Sequence, residues 1–453
     1  MSGDTVSGEA VGSDAARSDV AGGPDGKPAI SLWRDRRFRL FWAGQSVSQF
    51  GDRITELALP LIAVGALNAS ANQVAWLTAL IWAPNLLAIL LGAWVDRRPR
   101  KRPLMILADL VRAVVLLSVP AAYLLGTVTL GQLYAVALLT GAAGVLFNTA
   151  YQPFFVRLVP RASYVDANSK LSAGRSMSYV VGPAIGGVLV QVLTAPVTMV
   201  VDALTFLVSA VLIGRVRTDE SAAAPTAPAT PGTPAEPALL RRAGEGLSFI
   251  VRHPVLRACL GCAATVNFFT LFAGSGMMVL FADRILGLAP QVIGIAFGVG
   301  ATGALVGAVC APGIGRRFGV GRSVAVGAVL FPAPLALAAV ADGPLWFRAG
   351  ALAAAEFLCG VGAMLLEVNL NSLQAAVIPD GMRSRVAGAF STVNYGIRPV
   401  GAVVGGLLAT LLGLRATLLV AAAGGALSVL WLLASPIPRI RSLEGAPGPG
   451  MTE

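Results

Sequence analysis

The chain has 453 residues, of which 56 % are hydrophobic and 13 % are charged. A soluble domain has about 45–50 % apolar and about 25 % charged residues, so this composition excludes a water-soluble globular protein and indicates several membrane spans. The formal net charge of +11 does not indicate nucleic-acid binding, because the basic residues alternate between loops instead of forming one patch.

The first half of the chain contains six candidate spans after a polar start. Residues 1–32 are rich in Gly, Ala, Ser and Asp, so we expect a disordered cytoplasmic tail without a secretory signal. Apolar runs of about 20 residues are needed to cross a bilayer. Such runs lie near 38–66, 73–95, 103–125, 131–157, 167–193 and 196–214. We expect them to form one six-helix bundle over 33–217.

The second half repeats this organisation after a linker at 218–252. Its Pro-rich first part predicts disorder. Residues 239–252 alternate apolar and basic residues at helical spacing, which fits either an amphipathic helix on the membrane surface or an extension of the seventh span. Six further runs lie near 255–282, 291–314, 321–341, 345–376, 385–412 and 415–435. They predict a second bundle over 253–436 and a cytoplasmic tail at 437–453.

The fold class predicted is therefore an all-α polytopic membrane protein with twelve transmembrane helices in two pseudo-symmetric bundles. Arg and Lys concentrate before the first span and after the second, fourth, eighth and tenth, whereas the loops near 67–72, 126–131 and 194–196 carry none. Cytoplasmic loops are the basic ones. We expect a multi-pass protein of the cell membrane with both termini in the cytoplasm.

A repeat at one fixed offset supports two copies of one module. Gly182-x-x-x-Gly186-Gly187 reappears as Gly401-x-x-x-Gly405-Gly406, and Pro160 reappears as Pro379. The pair Arg97-Arg98 reappears as Arg316-Arg317. The differences 401 − 182, 379 − 160 and 316 − 97 are each 219. Duplicated bundles that meet at the bilayer midplane are typical of secondary transporters.

Polar stripes inside two spans predict a central cavity. Gln45, Gln49, Asp52 and Glu56 share one face of the first span. An ionisable residue inside a span costs about 2.5–3.5 kcal/mol, so such residues are functional candidates. The alternative for Asp52 is an ion pair with Arg53 or another arginine that only fixes helix packing.

The tenth span carries the second stripe. It consists of Glu356, Gly360, Ala363, Glu367, Asn371 and Gln374. The repeat equivalents of Glu367 and Asn371 are Asn148 and Gln152 on the fourth span, so the acids are unevenly distributed between the halves. Because burial disfavours a charged carboxyl, Asp52 or Glu56 together with Glu356 or Glu367 could couple proton uptake to cargo release.

Other intramembrane charges need partners. Arg398, in the eleventh span, has Glu367, Glu356 and Asp202 as candidate counter-charges. Asp202 is more simply a structural polar contact. Asp109 and Arg112, three residues apart on the third span, are interpreted as a local helix pair. The four cysteines and the single histidine predict no metal site.

Two motifs resemble the major facilitator superfamily. Gly92-x-x-x-Asp96-Arg97-Arg98-x-Arg100-Lys101-Arg102 is similar to its signature loop between spans two and three. Gly182-Pro183-x-x-Gly186-Gly187 is similar to its antiporter motif of span five, with Ser178 replacing the leading glycine. Further stretches resemble the branch of enterobactin exporters and macrolide-efflux proteins: Phe38 to Trp42 leading to Gln49-Phe50-Gly51-Asp52, Ala108-Asp109-Leu110-x-Arg112, and Arg252-His253-Pro254.

The resemblance runs from about 33 to 435 and implies proton-driven export of a drug-like small molecule by alternating access. The loop motif would act as a cytoplasmic gate, although Gly315 replaces Asp96 in the second copy. We expect a monomer in the lipid bilayer that uses the proton gradient, without a cofactor or nucleic acid. Siderophore export, lysolipid or lipid flipping, and a transport-inactive sensor or scaffold remain alternatives; a membrane enzyme is disfavoured.

Overall fold

The computed structural model describes residues 32–96, 98–160, 163–216, 239–379 and 382–441, and every regular element within these ranges is helical. In the first half the α-helices are α1 (Arg36–Leu67), α2 (Ala71–Trp82), α3 (Ala88–Asp96), α4 (Arg102–Leu124), α5 (Leu130–Leu158), α6 (Tyr164–Leu193) and α7 (Ala195–Gly214). A further helix, α8 (Leu239–Arg252), precedes the second half. Residues 1–31, 217–238 and 442–453 lie outside the described residues; they include most of the predicted tails, 1–32 and 437–453, and most of the linker.

The second half repeats the helix pattern of the first. Its helices are α9 (Pro254–Thr270), α10 (Ser275–Arg284), α11 (Pro290–Phe318), α12 (Val320–Leu330), α13 (Leu335–Ala339), α14 (Leu345–Val377), α15 (Arg383–Leu412), α16 (Leu414–Ala426) and α17 (Val429–Leu433). The first residues of α2 and α11, of α6 and α15, and of α7 and α16 are each 219 positions apart. The offset read from the motifs is therefore also the offset between helix boundaries.

Ten helical segments of the described chain are long and apolar enough to cross a membrane. The other two spans of the expected twelve depart from a plain apolar helix. The first, α1, carries Asp52, Arg53 and Glu56 in its middle. The second is divided into α2 and α3 by a short 3₁₀ segment, Ala83–Leu87, which contains Pro84. Proline lacks the backbone N–H that an α-helix needs, so it accounts for the break. The all-α polytopic fold class is confirmed.

Helix α8 is a separate element that packs against the start of α15. The chain turns at His253, and Pro254 begins α9, so the interpretation as an extension of the seventh span is wrong. Arg385 Nη1 donates a 3.0 Å hydrogen bond to Glu245 Oε2. A side chain at Gly246 would collide with the backbone carbonyl of Arg385, so the glycine permits this close approach. The connection between the halves is thus attached to the second bundle.

The two bundles pack tightly at one end. On one side, a Cβ atom at Gly187 of α6 would lie 2.7 Å from the carbonyl oxygen of Pro290 and 3.0 Å from Gly294 Cα of α11. On the other side, a Cβ atom at Gly406 of α15 would lie 3.1 Å from Asn72 Cα of α2. Gly187 and Gly406 are repeat equivalents. The two contacts are therefore pseudo-symmetric and close this end of the molecule.

The arginine-rich loops lie at the other end, which we call the basic end. It includes the start of α1, the end of α5 and the junction of α11 with α12. Four exposed polar residues lie in the halves of α5 and α14 that are nearer to this end: Asn148, Gln152, Glu367 and Asn371. The closed end is not free of arginine, because Arg284, Arg348 and Arg415 of the second bundle lie there.

Candidate functional site

A cavity of about 450 Å³ lies between the two bundles. The first bundle contributes Arg53, Glu56, Leu57, Tyr179 and Pro183 to its wall. The second bundle contributes a larger, mostly apolar surface: Thr270, Leu271, Ala273, Gly274, Met278, Phe297, Gly300, Ala301, Phe331, Leu335, Glu356, Cys359, Gly360 and Ala363. An apolar cavity with a few charged groups is the usual form of a small-molecule site.

On the first-bundle side, the two charged residues of this cavity are paired. Arg53 Nη1 donates a 2.5 Å hydrogen bond to Glu56 Oε2. The Arg53 guanidinium also lies 4.3 Å from the centroid of the Tyr179 ring, in cation–π geometry. Gly182 makes room for this arginine, because a Cβ there would lie 2.7 Å from Arg53 Cβ. The motif glycine of α6 thus holds a charged group at the cavity wall.

On the second-bundle side, Glu356 lines the cavity, and no hydrogen bond or ion pair joins it to a described residue. It lies on α14 against Gly300 of α11, whose missing side chain leaves room for it: a Cβ at Gly300 would lie 2.9 Å from Glu356 Cβ. A carboxylate within a mostly apolar wall needs a partner, since removing an isolated charge from water is expensive. The cavity therefore offers a ligand a carboxyl group that has no described partner, and a bound cation would stabilise its ionised form.

A second cavity of about 430 Å³ continues from the first, sharing Phe331 and Ala363, and lies within the second bundle. It contains Glu367, Asn371 and Arg398 of the predicted site, together with Asn267 and Asn394. Its walls are more polar than those of the central cavity. The stripe of the tenth span is therefore divided, with Glu356 in one cavity and Glu367 in the next.

Arg398 has no described acid as an ion-pair partner, in contrast to the expectation from the sequence. Its Nε donates a 2.9 Å hydrogen bond to Asn267 Oδ1, and Asn267 Nδ2 donates a 2.7 Å hydrogen bond to Asn394 Oδ1. The guanidinium lies 4.3 Å from the Trp82 ring centroid and 4.8 Å from that of Tyr395. Aromatic rings and amides thus take the place of the expected counter-charge.

Asp52 does not line the central cavity and instead faces the interior of the first bundle. Its Oδ1 lies 3.8 Å from Arg112 Nη1 of α4. Arg112 was expected to pair locally with Asp109; its described ion pair is instead with Asp52, and neither oxygen of Asp109 is hydrogen-bonded, although the Arg112 charge still acts on Asp109. Asp202 is a buried polar contact, as expected, and its carboxylate accepts hydrogen bonds from the hydroxyls of Thr55 and Thr205.

The remaining predicted residues lie outside the central cavity. Gln49 Nε2 donates a 3.4 Å hydrogen bond to Gln45 Oε1, and Gln45 is buried. Asn148 and Gln152 are exposed on α5, toward the basic end. Among the described residues, no three His, Cys, Asp or Glu side chains are arranged to hold a metal ion.

One residue of the loop motif, Arg102, caps the end of helix α7. Arg102 donates hydrogen bonds of 2.7 and 2.8 Å to the carbonyl oxygens of Gly214 and Val216, at the end of α7. The guanidinium of Arg98 lies 4.8 Å from the Trp94 ring centroid. Gly92 is in ordinary contact with Thr149 of α5. Arg97 and the side chain of Asp96 lie outside the described part of the chain.

The α6 motif packs on both neighbours. A Cβ at Gly186 would lie 3.3 Å from Ile54 Cα of α1, so Gly186 serves the packing within the first bundle. Gly187 serves the contact between bundles, and Pro183 lines the cavity. One turn of helix therefore joins the cavity wall, the bundle interior and the bundle interface.

Sequence reasoning missed the aromatic partners and the role of Arg112. Trp82 and Tyr179 carry no charge and interrupt no apolar pattern, so nothing marks them in the sequence. Arg112 was visible as an intramembrane cation whose partner could have been any nearby acid. The partner of Arg112 could not be chosen among Asp52, Asp109 and Asp202 without knowing how α1, α4 and α7 pack.

Comparison with known proteins agrees with this architecture. The family model of the Major Facilitator Superfamily matches residues 41–402. The multidrug efflux pump Tap of Mycolicibacterium fortuitum is 29 % identical over 420 residues, which are 88 % of this chain and 95 % of that protein. The uncharacterized MFS-type transporter YfiS of Bacillus subtilis is 27 % identical and is matched over 83 % of this chain and 88 % of its own length.

Solved structures share the fold at low sequence identity. A bacterial homologue of the iron transporter ferroportin, in an inward-facing state, has a TM-score of 0.69 and 15 % identity, covering 88 % of this chain and 98 % of that one. The nucleoside transporter NupG has a TM-score of 0.64 and 12 % identity, covering 89 % and 99 %. The expectation of a transporter rather than an enzyme is confirmed by the family. The chain belongs to the Major Facilitator Superfamily.

Proposed function

We propose that this transporter exports a cationic, amphiphilic small molecule across the cell membrane in exchange for protons. The observation that carries the proposal is the cavity shared by both bundles, in which Glu356 lacks a described partner and is surrounded by apolar and aromatic side chains. A cation with an apolar body satisfies both features, because its charge pairs with the carboxylate and its remaining surface packs against the wall.

Export is supported by two further points. The relative Tap is named a multidrug efflux pump, and it matches over 88 % of this chain. The α6 motif resembles an antiporter motif, and its glycines lie at the contacts with α1 and α11. We assign the basic end to the cytoplasm, because basic loops remain on that side. The described state would then be closed toward the outside and accessible from the cytoplasm.

Alternating access accounts for how such an arrangement works. Tight contacts at the closed end and exposed polar faces at the basic end describe one of two states. Rocking of one bundle against the other would expose the same cavity to the opposite side. The paired Arg53 and Glu56 lie on the first bundle and Glu356 on the second, so this motion would change the distance between the charges that a cargo contacts.

Transport by the purified full-length protein in liposomes tests the proposal. Ethidium, an apolar cation, is the probe, and a pH gradient is imposed with the acidic compartment on the side toward which export occurs. We expect ethidium to move toward the acidic side, and a protonophore to abolish the net movement. Ethidium movement that is unchanged by the pH gradient and by the protonophore would contradict proton exchange. Movement of a labelled lysolipid without ethidium transport would favour a flippase instead.

A further inference from the structure

A buried group of charged side chains lies inside the first bundle, where α1, α4 and α7 meet. It consists of Asp52, Asp109, Arg112 and Asp202, which we call the acid–arginine cluster. Asp109 and Asp202 are completely buried, and Arg112 is 8 % exposed. None of the four lines either of the two cavities described above. The cluster is therefore spatially separate from the candidate cargo site.

The three carboxyl groups of the cluster have very different surroundings. Asp52 lies 3.8 Å from Arg112 and keeps 34 % of its side chain exposed. Asp202 accepts hydrogen bonds from Thr55 and Thr205, so its oxygens are satisfied. Asp109 has neither oxygen hydrogen-bonded, and the Ser209 hydroxyl that faces it from α7 also remains without a partner. One fully buried carboxyl therefore has no described hydrogen bond, although the Ser209 hydroxyl and the Arg112 charge lie near it.

Charge balance indicates that this carboxyl carries a proton. Among the described residues, Arg112 is the one cation beside the three acids that is not bound to an acid outside the cluster. From α1 come Asp52 and Arg53, and Arg53 is bound to Glu56. From α7 come Asp202 and Phe206, and from α5 come Gly144 and Phe147, which with Phe206 pack on the Arg112 guanidinium. An unpaired buried carboxylate is very costly, whereas a neutral carboxyl is tolerated.

The second bundle shows that the fold does not need these charges. Adding 219 to the four positions gives Leu271, Ala328, Phe331 and Ala421, all of which are apolar. Buried ionic groups can often be replaced by apolar residues without loss of stability. The repeat thus provides a natural example of the same helix arrangement without the cluster. Its presence in one copy alone points to a function.

We propose that the acid–arginine cluster binds one transported proton, held by the buried Asp109 and exchanged with water by Asp52. Arg112 pairs with whichever of these two carboxyls is ionised. In the described state Arg112 pairs with Asp52, and the proton is on Asp109. When Arg112 moves to Asp109, Asp109 gives up its proton and Asp52 takes it up, so that Asp52 becomes neutral. The proton is conserved in this exchange, and it leaves when Asp52 releases it to water.

The position of Asp52 would connect this exchange to the cavity. Asp52 precedes Arg53 and lies one helical turn from Glu56, and both of these residues line the cavity. A change of partner at Asp52 would therefore shift the same turn of α1 that contacts the cargo. The inference rests on the proposed proton exchange, and it locates the proton outside the cargo site.

Infrared difference spectroscopy of the purified full-length protein tests the protonation directly and without cargo. A neutral carboxyl has a C=O stretching band that its ionised form lacks. Asp109→Asn should remove a band present in the wild type. Asp52→Asn should also remove it, because Arg112 would then pair with Asp109 and ionise it. Asp35→Asn is the matched control on α1, since asparagine also caps a helix, and it should keep the band. An undiminished band in both cluster variants would overturn the proposal.

Ethidium transport separates this inference from the proposed function. Asp109→Asn and Asp52→Asn should lose pH-gradient-driven export while retaining exchange of internal for external ethidium, which needs only the cavity. Retained exchange also shows that the variants fold. If Asp109→Asn does not fold, Asp52→Asn alone still tests the site by both readouts. If the wild-type protein exchanges ethidium but does not respond to the pH gradient, proton exchange is refuted. The infrared band would still report whether Asp109 holds a proton.

Discussion

The Arg398 guanidinium of the second bundle lies 4.3 Å from the centroid of the Trp82 ring of the first bundle. On its own side, Arg398 is fixed by the 2.9 Å hydrogen bond to Asn267 and by stacking on Tyr395. The contact between the bundles is therefore a cation–π interaction instead of an ion pair. Trp82 can leave it without breaking a described hydrogen bond or ion pair, because none joins the two side chains.

Trp82→Ala should weaken the described closed state. A cation–π contact contributes about 0.5–1 kcal/mol when exposed and about 2 kcal/mol when desolvated. A loss of one or two kcal/mol changes a two-state ratio by a factor of about 5–30. Spin labels at the exposed positions Leu125 and Leu412 would report the distance between bundles at the closed end. The control is Trp346→Ala, because this tryptophan is 75 % exposed. Identical distance distributions for both variants would contradict the role of Trp82.

Gly187→Ala should force the bundles apart at the closed end. The new methyl group would lie 2.7 Å from the Pro290 carbonyl oxygen and 3.0 Å from Gly294 Cα, and backbone atoms of a helix cannot move aside individually. We expect longer distances between the same spin labels and slower ethidium export, with normal expression. Gly131→Ala on α5 is the matched control, since nothing lies within 4 Å of a Cβ there. Unchanged distances in Gly187→Ala would show that this contact is not tight.

Glu356→Gln should weaken the binding of a cation. A hydrogen bond to a charged group contributes about 1.5–3 kcal/mol, so the affinity for ethidium should fall about tenfold to a hundredfold. Fluorescence titration of the purified protein measures this change. An uncharged aromatic probe of similar size should bind both proteins equally. Asp342→Asn, in the exposed loop before α14, is the control. Equal affinity of Glu356→Gln and wild type would remove Glu356 from cargo binding.

His253 should make the α8–α9 junction sensitive to acid. The side chain is 7 % exposed, its Nδ1 has no described partner, and burial lowers its pKa below the ordinary value of about 6.5. The unfolded junction therefore binds more protons than the folded one as the pH falls below about 6.5, so its stability is lost in that range and regained as the pH rises. Hydrogen exchange of α8 would measure this loss. His253→Phe should abolish the pH dependence, and persistence of the effect would assign it elsewhere.

The sequence was sufficient to predict the architecture because its strongest signals occur in both halves of the chain. Apolar runs of span length and one offset of 219 residues define the helices, and the structure keeps that offset to the residue at the starts of α6 and α15. Glu356 could also be placed in a cavity, since a carboxyl on a long apolar helix has few favourable locations. These inferences depend on period and composition alone.

The sequence could not show which charged residues line the cavity and which lie inside the first bundle, because this depends on the direction of each side chain. Helical spacing puts Asp52 and Glu56 on one face, but that face is wide enough to contact two neighbours. Glu56 reaches the cavity and Arg53, whereas Asp52 reaches Arg112 on α4. The aromatic partner of Arg398 lies more than 300 residues away in the other bundle. No local pattern in the chain contains that information.

The two glycine contacts at the closed end lie on opposite sides of the pseudo-twofold axis. One joins Gly187 to Gly294, and the other joins Gly406 to Asn72. In the proposed rocking of the bundles, a tilt that separates Gly187 from Gly294 would also separate Gly406 from Asn72. Both contacts consist mainly of backbone and methyl surfaces, with the Asn72 side-chain oxygen beside Gly406, so re-forming them requires no ion pair. In the transport cycle proposed above, closure of this end would therefore not depend on the charge of the released cargo.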